Sequence, residues 1–235
     1  MSAIPGQLAE IRERISSACR DAGRDPGSAR LVAVSKTFPV EDIRVAAEAG
    51  QCAFGESRLQ EAEAKIPSFP ADLEWHFIGR VQRNKVRKIL PLFQYIHAVD
   101  SLRLATYIDG VAADLGLRPK VFLQVDQAGE ESKGGFAAGA LRADFPAIMA
   151  LRNIDVVGLM SIPPAAGRAE DSRHWFRGLR ELRDGLESSF SAKLPFLSMG
   201  MSGDFPVAVE EGATHVRVGS AIFGKREHKV EGELG

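Results

Sequence analysis

Cysteine is scarce in this sequence. Cys19 and Cys52 are the only two in 235 residues, too few for a disulfide framework and unpaired at any zinc-site spacing, so both are expected to be inert thiols in a reduced, cytoplasmic setting. An excess of one charge is missing too. Thirty Lys and Arg face 31 Asp and Glu, for a formal net charge of -1, which leaves no electrostatic footprint for nucleic acid or an anionic membrane. No uncharged apolar run approaches membrane-spanning length, and the opening MSAIPGQLAEIRERISSACRDAG carries charges through what would have to be the apolar region of a signal peptide. No histidine–carboxylate cluster has metal-ligand spacing, and neither a G-x-S-x-G elbow nor a Walker lysine motif occurs. No metal is expected, and a small molecule remains as the partner.

What is present is a β/α rhythm. After an opening helix marked by Leu8, Ile11, Ile15 and Ala18, short β-branched runs alternate with amphipathic stretches. The predicted strands are Leu31 to Lys36, Cys52 to Glu56, Leu73 to Gly79, Tyr95 to Asp100, Lys120 to Asp126, Ile154 to Ile162, Phe196 to Ser202 and His215 to Phe223. Between them lie helical patterns such as VEDIRVAAEAG, RLQEAEAKIP, RNKVRKILPLF, LRLATYIDGVAADLG and DSRHWFRGLRELRDGLESSF, while ADFPAIMALRN and IPPAAGRAED read as loop-bearing connections. Eight parallel strands with crossovers predict a single-domain (β/α)8 TIM-type barrel over residues 1–235 with an extra N-terminal helix. An open doubly wound sheet is the competitor, but KTFPVED after the first strand lacks a dinucleotide-binding glycine fingerprint. The tail after Phe223 is polar, without apolar periodicity, and is expected to fray.

Barrels of this kind build their sites at the C-terminal strand ends. Lys36 closes the first strand on the same face as Val32 and Val34. A lysine desolvated there has its pKa lowered and attacks aldehydes; the alternative is a lysine snorkelling past the strand end. The segment LSMGMSGDFPVAVEEG runs from a strand through small residues into a helix. It reads either as an anion nest, built from the N–H groups of residues 198–203 and the following helix start, or as a flexible turn. In HVRVGSAIFG, Arg217 and Gly219 share one face, and a guanidinium entering the barrel needs a ring nitrogen or a carboxylate as acceptor. The loops after strands seven and eight are the usual phosphate site of this fold, so these two segments reinforce each other. Elsewhere, His76 is either a satisfied core histidine or a ligand contact, the basic run from Arg80 to Lys88 reads as a solvated helix face, and Glu130, Glu131 and Lys133 lie in a lid or a plain loop.

The motifs LVAVSKT, FGES with LQE, WHFIGRVQRNK, LQVDQAGEESKGGF, GLMSIPP, LSMGMSGDF and HVRVGSAIFG resemble those of the pyridoxal phosphate homeostasis proteins over nearly the whole chain. That resemblance implies a fold-type-III-like barrel related to the N-terminal domain of alanine racemase. It makes Lys36 the Schiff-base lysine for pyridoxal 5′-phosphate (PLP), sets Ser202, Gly219 and Ser220 on the phosphate with Met201 in the same turn, and turns Arg217 toward the pyridine nitrogen. Ser57 and His76 complete the set of candidate cofactor-binding residues. Four positions depart from the family pattern: Ser57 and Arg58 replace Asn and Tyr, Arg80 replaces a frequent His, and Phe38 replaces a frequent Lys. Lys133 remains as a lysine for a secondary cofactor site.

The implied role is PLP (vitamin B6) homeostasis without robust catalysis and without a catalytic residue, in a cytoplasmic monomer that takes PLP and delivers it to PLP-dependent apo-enzymes. A racemase using Lys36 as its base is the enzymatic alternative. It lacks the β-domain that would supply a second tyrosine base, and Tyr95 and Tyr107 are not placed to replace it. A Schiff-base aldolase acting on a phosphorylated sugar is a more distant reading.

Overall fold

The structure, a computed structural model, describes residues 2–130 and 134–224. Strands β1 (Arg30–Val34), β2 (Ala53–Glu56), β3 (Glu74–Phe77), β4 (Tyr95–Val99), β5 (Lys120–Gln124), β6 (Asp155–Met160), β7 (Phe196–Ser198) and β8 (His215–Val218) form a closed barrel in sequence order. Every pair is parallel, and β8 returns to β1 with Arg30 opposite His215 and Val32 opposite Arg217. The expected barrel is therefore observed. Its helices are α1 (Ile4–Asp21), α2 (Val40–Glu48), α3 (Leu59–Lys65), α4 (Val86–Ile89), α5 (Leu102–Leu115), α6 (Ala138–Met149), α7 (Arg173–Phe190), α8 (Phe205–Glu210) and α9 (Ser220–Phe223).

Local chemistry sets the helix limits. The Ser101 hydroxyl accepts the Leu104 N–H at 3.3 Å to start α5, and Gly116 at φ 64° ends it in the left-handed conformation that glycine adopts without strain. The extra N-terminal helix is present and buries Leu8, Ile11, Ile15 and Ala18 as their spacing predicts. Arg87 and Lys88 lie on the solvated side of α4 and Val86 and Ile89 on its buried side, as expected for the basic run.

Two expectations about elements fail. ADFPAIMALRN is mostly helix, not loop: Leu141, Phe145 and Ile148 form a buried stripe on α6, and that burial outweighs Pro146 inside the helix. The eighth strand does not reach Phe223. It stops at Val218, and the chain turns at Gly219 into α9. Likewise β7 ends at Ser198, so the following small residues form a turn.

Two apolar layers result. Leu31, Ala33, Phe54, Ile96, Val121, Leu123, Leu197 and Val216 pack outward against the helices, whereas Tyr95, Phe122 and Met160 pack together inside the barrel with Phe196. Barrel interiors of this fold are dominated by branched apolar side chains. Here His76, His97, His215 and Arg217 are buried there as well.

Gly158 allows β6 to meet β7. A Cβ at this position would stand 1.8 Å from the Phe196 carbonyl oxygen. Gly158→Ala is expected to cost about 2–3 kcal/mol as the strands are forced apart. Urea denaturation measures this, and an unchanged midpoint would contradict the close strand approach.

Candidate functional site

Lys36 stands just beyond the end of β1, half-buried at the mouth of the barrel. It is the second residue of a tight turn in which the Phe38 N–H donates to the Ser35 carbonyl at 3.1 Å. Thr37, the third residue, has φ 70°. Turns with positive φ there favour glycine, and a β-branched residue in that region is strained.

A buried polar cluster holds the turn. The Thr37 N–H donates to Glu61 Oε2 at 2.7 Å. Lys65 Nζ donates to the Ser35 carbonyl at 3.1 Å, to Glu56 Oε1 at 3.0 Å and to Glu61 Oε2 at 3.2 Å. The Ser35 hydroxyl donates to the same Glu56 oxygen at 2.8 Å, while Glu56 Oε2 is buried with no partner among the described residues. Burial raises the Glu56 pKa against the opposing pull of Lys65 and Ser35. Burial also acts to raise Glu61, but the Thr37 N–H and Lys65 outweigh it and hold that carboxylate below its ordinary value.

Across the mouth, the turns after β7 and β8 come together. Ser202 Oγ accepts the Gly219 N–H at 3.3 Å. The N–H groups of Ser202, Gly203, Ser220 and Ala221 have no acceptor among the described residues. The start of α8 adds little, because the Asp204 and Phe205 N–H groups both donate to the Met201 carbonyl and Pro206 has none to give. The helix start that presents donors is α9, in the segment read from sequence as strand. Met201 lies in this turn, partly exposed, with its N–H donated to Asp204 Oδ1 at 2.7 Å. A small cavity is lined by Val34, Lys36, Phe38, Gly219, Ser220 and Gly224. A side chain at Gly219 would press on the Val34 carbonyl oxygen at 3.1 Å, so glycine keeps this wall open.

Arg217 is buried below this wall. Nη1 donates to Ser198 Oγ at 2.6 Å and Nη2 to the Ser161 carbonyl at 2.9 Å, where sequence reasoning allowed a carboxylate. Burial pushes its pKa down to about 10, with the Asp204 charge opposing, so the guanidinium stays charged at neutral pH. Ser161 Oγ is buried without a partner among the described residues.

The candidates thus divide. Lys36, Gly219 and Ser220 share one cavity, with Ser202 bonded to Gly219 and Met201 in the same turn. Ser57 follows β2 at the mouth, its carbonyl so close to Gly79 that a Cβ there would lie 2.2 Å away. His76 is elsewhere: it is fully buried on β3, bonded to Glu74 and His97, and does not line the cavity with Lys36. Glu131 and Lys133 lie outside the described residues. Sequence reasoning missed Glu56, Lys65, His97 and Ser161, and gave Ser198 only a backbone N–H role. The one available signal was His97, a lone polar residue inside the apolar strand YIHAV. The arrangement thus places N–H donors and Lys36 around one cavity, with a buried guanidinium on the strand that leads into it.

Comparison with known proteins agrees with this architecture. The model of the alanine racemase N-terminal domain family matches residues 7–227. The pyridoxal phosphate homeostasis protein of Aquifex aeolicus is 44% identical over 223 residues, covering 94% of this chain and 98% of that protein. The protein of the same name from Pseudomonas aeruginosa is 44% identical over 233 residues, covering 97% and 98%. The structure of PipY from Synechococcus elongatus, solved with PLP bound, superposes with a TM-score of 0.85 at 40% identity, covering 94% of this chain and all of that one. Alanine racemase of Clostridium difficile, 14% identical with a TM-score of 0.72, shares the fold.

Lys65→Met removes the cation that compensates Glu56 and is expected to cost about 3 kcal/mol at pH 7. A carboxyl whose pKa is raised by folding favours the folded state below its unfolded value and loses that contribution as pH rises toward the folded pKa. The cost should therefore be smaller at pH 5 than at pH 7. Urea melts at the two pH values test this, and a loss that is greater at pH 5 would refute it.

Proposed function

The chain belongs to the pyridoxal phosphate homeostasis protein family, and from that membership we propose that it holds PLP on Lys36 as a Schiff base to store and deliver it, without robust turnover. The observation that carries this reading is the cavity that joins Lys36 to Gly219 and Ser220, beside N–H groups with no acceptor among the described residues. A phosphate monoester bearing an aldehyde matches both ends. Its phosphate takes the donors of the turns after β7 and β8, and its carbonyl carbon takes the Lys36 amine. When bound, PLP supplies a reactive aldehyde on an electron-withdrawing ring.

The chain's own residues restrain that chemistry. Arg217 offers N–H donors to the ring nitrogen and does not readily surrender a proton, so the nitrogen stays unprotonated and electron withdrawal is weak. Ser161 Oγ, a buried hydroxyl beside the Arg217 acceptor, is a further polar contact for the ring side. Ser57, with a shorter side chain than the family's asparagine, borders the ring's hydroxyl side. The strained turn at Thr37, fixed by Glu61 and Lys65, positions the lysine.

The racemase reading finds neither tyrosine placed as a second base at the mouth. Tyr95 bonds to Lys120 at the opposite end of the barrel, and Tyr107 is exposed on α5. The recipients of delivered PLP are apo-enzymes in the cytoplasm, and the protein acts as a monomer of one barrel domain.

Addition of PLP should give a visible absorption band that borohydride fixes on the peptide containing Lys36. Lys36→Ala should abolish the adduct, and Gly219→Val should weaken PLP binding at least about tenfold by filling the cradle. Label on any other lysine would overturn the assignment. Solvent deuterium exchange at the α-carbon of alanine, well above that of free PLP, would favour the racemase.

A further inference from the structure

A line of polar side chains crosses the apolar barrel interior from the mouth to the opposite rim. Arg217 Nη1 lies 2.6 Å from Ser198 Oγ, which lies 2.8 Å from His97 Nδ1. His97 Nε2 lies 2.8 Å from His76 Nδ1, and His76 Nε2 lies 2.9 Å from Glu74 Oε1. Ser198 ends β7, whereas Glu74 is the first residue of β3, so the line runs between opposite ends of the barrel. Tyr95 stacks on His76 at 4.5 Å and Phe122 packs on His97 at 4.4 Å, closing it off from water.

The two ends fix its direction. A guanidinium only donates and an ionised carboxylate only accepts. His76 must therefore donate from Nε2 to Glu74. A neutral His76 then accepts at Nδ1, His97 donates from Nε2 and accepts at Nδ1, and the Ser198 hydroxyl donates to His97 while accepting from Arg217. Ser198, His97 and His76 each use their one side-chain donor, and every bond points from Arg217 to Glu74. Burial lowers both histidines, and the Arg217 charge presses His97 down further, while Glu74 partly offsets the effect at His76. Both are thus neutral at pH 7.

We propose that Ser198, His97, His76 and Glu74 form a one-way hydrogen-bond relay that holds Arg217 as a donor and makes the ring-nitrogen position sensitive to charge at the far rim. These four are positioning residues, and the second half of the statement rests on the PLP reading of the site. The charged or titratable groups facing the relay are Arg30 of β1, 3.1 Å from Glu74, Lys120 of β5, bonded to Tyr95, His215 of β8, and Asp204 near Arg217. The negative end of the line is Glu74, held below its ordinary carboxylate value as His76 and Arg30 outweigh its burial.

The first test needs no cofactor. In protein labelled with 15N-histidine at pH 7, His76 and His97 should each show a protonated Nε2 and a bare, hydrogen-bonded Nδ1. An Nδ1–H tautomer or an imidazolium at either residue overturns the relay. The second test reads the absorption of bound PLP against pH. Glu74→Gln keeps an acceptor for His76 but removes the charge, and should lower the spectral midpoint by about half a pH unit. Arg30→Met removes an opposing charge and should raise it by less, because Arg30 is half exposed. Shifts of the same sign, or none, refute the coupling. If PLP does not bind, the function proposed above fails while the tautomer measurement still decides the relay.

Discussion

A guanidinium buried inside a closed barrel must be solvated by the protein itself. Arg217 imposes that demand, and much of the interior answers it. Ser198 and the Ser161 carbonyl provide the immediate acceptors. The Ser198 hydroxyl then requires an acceptor of its own, which His97 supplies, and His97 in turn requires His76. The line ends only where a partly exposed carboxylate meets solvent at Glu74. The polar interior is thus one connected consequence of placing a permanent cation under the mouth, and this explains why branched aliphatics do not fill it.

The mouth is organised on the opposite principle. Several of its donors have no acceptor among the described residues, Gly219 keeps a side chain out of its wall, and its lysine sits beside a backbone conformation that threonine does not favour. The expense of this arrangement is met nearby by the Glu56, Lys65 and Glu61 cluster, which ties together the chain after β1, the end of β2 and the helix α3. A strained segment persists when its surroundings over-determine it. Here three elements fix the one that carries Lys36.

The barrel was legible because burial alternates with the β/α period, and each strand of the sequence reads as a compact apolar run. Lys36, Ser202, Arg217, Gly219 and Ser220 were legible because small or charged residues interrupt those runs at strand ends. Other features were hidden for physical reasons. The α6 helix contains a proline, whose local cost is outweighed only by packing that a sequence does not display. The short helix α9 looks like strand because Ala221, Ile222 and Phe223 are as apolar as Val216 and Val218. Which residues of β3, β4 and β7 meet in the interior depends on closure and register, so the partnership of His76, His97 and Ser198 had no signature in any one segment. His76 could be singled out from sequence, but its neighbours could not. Nothing in the sequence marks Thr37 for positive φ, since the residue types that tolerate that region do not include it.

The location of α9 links site assembly to the last step of closure. The N–H groups of Ser220 and Ala221 come beside the end of β1 only when β8 pairs with β1, which brings Gly219 against Val34. A ligand that reached from these donors to Lys36 would touch segments on both sides of the seam. It would therefore act as a fastener: bound to the sealed barrel and not to the unsealed one, it would shift that equilibrium toward the sealed form by mass action. A nascent chain has no such seat until residue 220 has been added, so occupancy would distinguish finished barrels from incomplete ones.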